Sequence, residues 1–504
     1  MAQALNHTAK FSADDYLSGV SPIQLSVSRS ARREYFKDSA LHLKICDSVN
    51  LQIDRMLESF HVGACNGSRF DARNLSDFIA FYFFSEILFL ALTEVGSVST
   101  SESVFTVAPA DRGAVVELHR KWFANYWESI SSAASIAYVD YLPKGADRGR
   151  EFSEAIKLLG QMFRDKIFSI PAKDMPLKLR QLESMSWMTR LSELIALCMW
   201  CQLKNDMRYT PYSLLHRCGI SRDHVSILKK LIDRYPQPDK VFAFSSQGVR
   251  ITNPTLTTQV RAVLNGLVNE LSEKQLNTYL GDFFENEYLS EYFSGEDMKS
   301  RYRVHAGVLA HEVNDDTLKP DVDLIIEDMQ RSWYYFVQVK YHKIGGKAYL
   351  LGDLEHILSD KLRKGIRQIT DAKLAMESGA LKSVLVSRGL TDASTENSTF
   401  MLVHNIPNFD FCVLPHGVVS YEWNTLRNLF RDGEVKYGHT RQENKVWRNE
   451  APLPIEYPDA VINLLLKNSP VSTVGGAKSL FESDNMETSV AVGEKMVRAR
   501  GLGL

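Results

Sequence analysis

Four side chains, with a fifth beside them, have the types and spacing for metal-assisted chemistry at a phosphate. In GDFFENEYLSEYF, which starts at Gly281, apolar residues recur at helical spacing, and Glu285 shares a face with Leu289 and Tyr292. A carboxylate therefore edges an apolar stripe. An alternating stretch from Tyr302 to Val313 reads as a strand. In KPDVDLIIED, Asp321 and Asp323 lie two apart, just ahead of and within an apolar strand, so they point to one sheet face. A polar turn, Asp328 to Ser332, leads into WYYFVQVK, Trp333 to Lys340, whose composition is strongly strand-like and whose Gln338 and Lys340 again share a face. The two strands form a hairpin, which brings Asp323 beside Gln338 and Lys340. A helix packed on that sheet can carry Glu285 to the same edge.

Two carboxylates and an amide oxygen are hard donors suited to Mg²⁺, with Mn²⁺ as a substitute. The Lys340 ammonium beside such an ion can orient an attacking water or stabilise the charge of a phosphorane. The metal-ligand candidates are Asp323, Gln338, Glu285 and Asp321; the catalytic candidates are Asp323, Gln338, Lys340 and Glu285. Asp321 follows Pro320. Asp323 is embedded in an apolar strand, where an unpaired carboxylate is costly and needs a reason, and it is the favoured ligand of the two.

Residues Gly281 to about His404 resemble the PD-(D/E)xK nuclease superfamily, which includes restriction endonucleases and Holliday-junction resolvases. The pieces stand in the family's order: the GDFFENEYL helix, the PDVDLII strand, the FVQVK strand, and the basic helix KLRKGIRQITDAKLAM with Gln368. Gln338 departs from the usual Glu or Asp, which removes one negative charge from the metal site and weakens Mg²⁺ binding. The resemblance implies a Mg²⁺-dependent DNA endonuclease with a restriction-endonuclease-like α/β domain and a mixed central sheet. It also implies a role for Gln368 near the scissile phosphate. A large region ahead of such a nuclease suits a restriction or anti-phage defence effector. A homodimer is expected on mechanism, since one site cuts one strand. The other function class is a binding or assembly protein with an inactive version of this fold, an alternative that Gln338 keeps open.

From Lys340 to Lys373 basic residues outnumber acidic ones. Part of this is a solvated helix face. The rest suits phosphate-backbone contact through Lys361, Arg363, Lys364, Arg367 and Gln368, with salt-dependent binding. A second candidate DNA contact is SLLHRCGISRDHVSILKKLI, Ser213 to Ile232. It reads as helix, turn at Gly219, N-cap at Ser221, then a second helix with Val225 and Leu228 inward. Arg222, His224 and Lys229 would face outward, with Arg222 and Lys229 the DNA-binding candidates. VFAF and VRIT flank SSQG as a β-hairpin, so the unit resembles a winged helix. The same geometry also occurs as plain helical packing or protein docking.

The elements that must position these residues fall into an α+β, multidomain order. Residues 1–205 read as an all-α domain, with helical periodicity in Leu51–Phe60, Val115–Ile130, Phe152–Ile167 and Leu182–Leu203. It is a candidate protein-partner module. Residues 206–270 are the winged-helix-like unit, with the main boundary near 255–275. Residues 271–467 are the nuclease-like domain. LKSVLVS (Leu381–Ser387) and FMLVHNI (Phe400–Ile406) are expected as further strands, and Asp410–Phe430 as a strand and a helix. Residues 468–504 read as a flexible tail in which Glu494–Arg500 forms a turn or two of helix.

The 504 residues carry 59 Lys+Arg against 61 Asp+Glu, a formal net charge of −2, which excludes a histone-like binder and a polyacidic tail but not a local basic face. Six scattered cysteines exclude a disulfide scaffold and suit a reducing cytoplasm. Cys198 and Cys201 form a lone C-x-x-C inside an apolar helical run and read as buried thiols rather than zinc ligands. Phe78–Leu92 is apolar but contains Glu86 and falls short of the roughly 20 residues of a membrane span, so it reads as a core helix and no membrane partner is expected. There is no signal-peptide pattern and no phosphate-binding GxxxxGK[ST] loop, so no ATP motor is encoded here.

Overall fold

A computed structural model describes residues 96–109, 150–232, 242–251, 275–342, 360–406, 412–433, 454–461 and 487–500, apart from a few positions inside those spans, together with Leu142, Gly145 and Leu271. The helices expected at Leu51–Phe60 and Val115–Ile130, the apolar run Phe78–Leu92 and most of the 255–275 boundary lie outside the described residues.

The chain is α+β. Two strands come first, β1 (Gly96–Thr100) and β2 (Val104–Pro109), paired antiparallel. They correct the all-α reading of residues 1–205. GSVST and VFTVAP are too short for a helical period, and their Val, Thr and Phe favour a pleated surface. Three helices follow: α1 (Arg150–Phe168), the short α2 (Leu177–Arg180) and α3 (Glu183–Lys204). These agree with the periodicity at Phe152–Ile167 and Leu182–Leu203. Cys198 and Cys201 are fully buried on α3, and burial pushes the Cys198 thiol up, so neither is poised for metal or redox chemistry.

The middle unit has α4 (Tyr212–Arg217), α5 (Arg222–Ile232), β3 (Phe242–Phe244) and β4 (Val249–Ile251), the last two antiparallel. Ser221 caps α5 as expected, its Oγ accepting from His224 N at 3.2 Å. Val225 and Leu228 are buried, while Arg222 and Lys229 are exposed. His224 is a correction: it is half-buried and packs edge-on against Trp187 of α3 at 5.6 Å, because its ring is an apolar surface as well as a polar one.

The largest sheet has six strands in the order β5-β6-β7-β8-β10-β9. β5 (Tyr302–Val308), β6 (Val322–Asp328) and β7 (Trp333–Lys340) form an antiparallel meander. β8 (Ser398–His404) then joins parallel to β7, β10 (Val418–Glu422) parallel to β8, and β9 (Cys412–Leu414) antiparallel at the edge, so the sheet is mixed. Ahead of it lie α6 (Gln275–Phe283), a π-helical turn at Phe284–Tyr288 and α7 (Leu289–Ser294); between β7 and β8 comes α8 (Asp360–Glu377), then α9 (Lys382–Ser387); α10 (Trp423–Asp432) ends it. The Asp410–Phe430 stretch therefore holds two strands before its helix.

β7 is covered on both faces, as central strands of crossover sheets are. Tyr334 and Phe336 join Ile369, Ala372 and Ala375 of α8 in one core cluster. Tyr335, Val337 and Val339 face a second cluster that is continuous from Phe152 of α1 through α6, α7 and α10 to Val461. The strand expected at Leu381–Ser387 is instead α9. Leu381, Val384 and Leu385 are buried and Val386 is exposed, a helical rather than alternating pattern that a seven-residue apolar run does not reveal by itself.

The C-terminal stretch also differs from expectation. β11 (Glu487–Val492) and β12 (Lys495–Arg500) are an antiparallel pair, and β12 runs parallel to β2, giving the order β1-β2-β12-β11. Lys495–Arg500, most of the expected helical turn, is thus a strand: ladder bonds to a strand almost 400 residues away in the chain outweigh weak local preference. Among the described residues, no helix is long and apolar enough to cross a membrane.

Candidate functional site

The start of β6 and the end of β7 meet at one edge of the large sheet. β6 is apolar because it is central, and Asp323 is the polar interruption next to its first residue. Leu324 pairs with Val337, so Asp323 falls opposite Gln338. The Asp323 Oδ2 accepts from Gln338 Nε2 at 2.8 Å and from the Val339 backbone N at 2.6 Å. On the other side, β5 approaches so closely that a Cβ on Gly307 would lie 2.7 Å from the Asp323 carbonyl carbon. Asp323 is thus fixed from both neighbouring strands.

Desolvation pushes the Asp323 carboxyl up to about 7. The Lys340 ammonium and the Val339 N–H pull it down, while Asp321 and Glu285 push it further up. Lys340, Asp321 and Glu285 are thus within electrostatic reach of Asp323, and Gln338 is in hydrogen-bond contact with it. Gln338 is fully buried, and its Oε1 has no hydrogen-bond partner among the described residues. A buried amide oxygen without a partner is uncommon and carries a cost of roughly 1–3 kcal/mol.

Glu285 lies in the π-helical turn between α6 and α7 and not in regular α-helix. One extra residue in the turn re-aims side chains, and such turns recur at functional sites. Its Oε1 accepts from the Tyr341 N at 2.9 Å, so the carboxylate holds the backbone immediately after Lys340. Asn405 holds the next residue with both ends of its amide: Oδ1 accepts from His342 N at 2.8 Å, and Nδ2 donates to His342 O at 3.0 Å.

Asp321 lies further out. Its Oδ2 accepts from Gln368 Nε2 of α8 at 2.5 Å, and Gln368 Oε1 has no partner among the described residues. Lys364, Arg367, Lys319 and His311 line a cleft of about 470 Å³ beside Asp321 and Gln368. Lys361, Arg363, Lys364 and Arg367 are all exposed on α8. The candidate DNA contacts of α8 therefore lie on the helix that adjoins the carboxylate edge, whereas Arg222 and Lys229 lie on α5.

Two features have no counterpart in the motif reading. A Cβ on Gly365 would lie 2.9 Å from Lys340 Cγ and 3.2 Å from its Cε, so the Lys340 stem runs directly across α8 at that glycine. The sequence does carry a signal, because an interior helical glycine costs about 1 kcal/mol against alanine and needs a reason. Asn405 carried no signal, since its partner is a backbone placed beside it only by folding.

The donor set fits a hard cation. Among the described residues no three His, Cys, Asp or Glu side chains converge as a ready metal cage. Mg²⁺ does not need one, since it is usually held by one or two carboxylates, waters and substrate phosphates. Asp323 and the unpartnered Gln338 Oε1 would be the protein ligands at the centre, with Asp321 and Glu285 adding negative charge nearby. No protein-family model matches the chain significantly, no curated protein does, and no solved structure does.

Proposed function

We propose that this chain is a Mg²⁺-dependent DNA endonuclease of the PD-(D/E)xK type, with the edge of β6 and β7 as its active site. The observation that carries the reading is the juxtaposition of Asp323, Gln338 and Lys340, in which a carboxyl is pushed up to about 7 by desolvation and a buried amide oxygen has no partner among the described residues. Both are satisfied by a cation.

Mg²⁺ held at Asp323 and Gln338 would supply Lewis acidity at the scissile phosphate and lower the pKa of a bound water. The residues of the chain do the rest. Asp323, kept rigid by the Val339 N–H and Gln338 Nε2, presents its other carboxylate oxygen at the sheet edge. Lys340, threaded across Gly365, brings a cation to the charge that develops on the phosphorane. Glu285 and Asn405 clamp the backbone behind it. Lys361, Arg363, Lys364 and Arg367 neutralise the strand's phosphates and position it without reading sequence. A defence effector of restriction type is the biological setting that suits these parts.

Gln338, which stands where the family usually has Glu or Asp, favours one other reading, a binding or assembly protein with an inactive version of this fold. Supercoiled plasmid incubated with the purified chain, with Mg²⁺ or with EDTA, separates the two. Nicking that needs Mg²⁺ and disappears in folded Lys340→Ala and Asp323→Ala variants is the expected result, with losses on the order of 10³-fold. Wild-type rates in both variants would remove the nuclease reading.

A further inference from the structure

A second cluster of cations lies away from the sheet edge, between α1, α2 and α3. We propose that this cleft binds a phosphorylated small molecule. Its volume is about 460 Å³, within the size range of small-ligand sites. Four cations line it: Lys157 and Arg164 from α1, Arg180 at the end of α2, and Arg190 of α3. Seven residues separate Lys157 from Arg164, two helical turns, so both face the same way. One carboxylate, Glu193, shares the cleft, and it is buried and committed to Arg190 at 2.8 Å.

The cleft therefore keeps an excess of positive charge that the described residues do not neutralise. Arg164 is the most telling member. Its side chain is only 13% exposed, and its Nη1 donates to a neutral partner, Thr189 Oγ1, at 2.9 Å. Its Nε and Nη2 both donate to the adjacent Asp165, at 3.4 and 3.3 Å, and that same oxygen also accepts from the Ala172 N, so the unpaired charge of the cleft rests on Lys157 and Arg180. Lys157 and Arg180 have no ion-pair partner among the described residues and are exposed. A guanidinium held nearly buried by a hydroxyl and by Asp165, with the exposed Lys157 and Arg180 beside it, matches the forked recognition of phosphate oxygens. Among the described residues no aromatic side chain lines the cleft, so the phosphate and not a stacked base supplies the binding energy.

The ligand class is then a free phosphate or diphosphate ester. The same chemistry on a nucleic acid would be a terminal 5′-phosphate, and the test distinguishes the two. Calorimetry and thermal melting are run on the full chain in EDTA, so that metal at the sheet edge contributes nothing. The probes are inorganic pyrophosphate, ADP, and a short oligonucleotide with or without a 5′-phosphate. The proposal expects pyrophosphate or ADP to bind and to raise the melting temperature. Lys157→Ala/Arg180→Ala should weaken that binding about tenfold or more, because charge-assisted hydrogen bonds are lost. Lys382→Ala, on α9 and exposed, should leave it unchanged. Both cleft residues are exposed, so the double variant keeps its fold; if its melt shows otherwise, Arg180→Ala alone is read. The proposal fails if neither probe binds at millimolar concentration, or if the variant binds as wild type does. It also fails if only the 5′-phosphorylated oligonucleotide depends on these residues, which would assign the cleft to a nucleic-acid end.

Discussion

β6 carries a desolvated carboxylate at each end, Asp328 fully buried and Asp323 partly so, and the two ends treat it differently. At its last residue, Asp328 is fully buried and bonded to Arg301 Nη2 at 2.6 Å, with a second oxygen accepting from the Gln330 N at 3.1 Å. Nearby, Glu456 is met by the Arg331 guanidinium and by the Tyr335 hydroxyl at 2.8 Å. Every buried charge at that end has a cation in hydrogen-bond contact. At the other end, Asp323 has an amide and a backbone N–H for partners, and Lys340 acts on it only at longer range. Gln338 beside it keeps an oxygen without a hydrogen-bond partner among the described residues. The closed end behaves as structure. The open end holds a standing demand for positive charge, which is what a metal or a substrate-bound cation would meet.

The largest test of this contrast is the same substitution made at both ends. A carboxyl whose pKa is raised on folding costs nothing below its unfolded value near 3.8 and costs progressively more as pH rises toward its folded value of about 7. Above that the cost is complete. In EDTA at about pH 8, Asp323→Asn should therefore be more stable than wild type, by up to about 4 kcal/mol, and the gain should vanish near pH 4. Asp328→Asn should instead lose roughly 1–3 kcal/mol at the higher pH, because Arg301 loses its charged partner. Urea melts at the two pH values measure both. Adding Mg²⁺ should then stabilise wild type and leave Asp323→Asn unmoved. Two destabilised variants would mean that both ends are structural.

Gly365→Ala sharpens the comparison from the side of Lys340. The new methyl would displace the Lys340 stem. Plasmid cleavage should fall by about 10- to 100-fold, since small misplacements of a catalytic group carry that cost. Stability should change by no more than about 1 kcal/mol, because better helix propensity offsets the crowding. Unchanged cleavage would show that the path of Lys340 across α8 is not needed.

Gln338→Glu places two carboxylates at the open end. In EDTA it should destabilise the chain by about 1–3 kcal/mol, since a hydrogen bond becomes a repulsion. In Mg²⁺ it should lower the concentration giving half-maximal cleavage. An unchanged midpoint would mean that Gln338 is not a ligand.

The smallest effect is expected far from both ends. Arg222→Ala/Lys229→Ala should weaken DNA binding a few-fold and reduce the slope of log affinity against log salt by about 2 at most. Mg²⁺ dependence should stay the same. Identical binding at every salt concentration would leave α8 as the DNA contact and the α4–α5 unit as packing, a role that His224 against Trp187 already fills in part.

Much of the site was legible before folding. Strand-like apolar composition placed Asp323 and Gln338 on facing strands, and the short polar turn between them set a register that the hydrogen bond at 2.8 Å reflects. The basic helix, the cap at Ser221 and the buried C-x-x-C were legible for the same reason, because each is a local pattern. What only the tertiary structure decided depends on distant partners. The desolvation of Asp323, the bare oxygen of Gln338 and the crossing of Lys340 over Gly365 exist only once α8 and the three strands are packed. Leu381–Ser387 became a helix because its buried face met the α8 cluster, and β12 became a strand because β2 offered an edge. Residue type and spacing determine which groups can do chemistry. Burial, which is a property of the whole packed chain, decides which of them are left needing a charge.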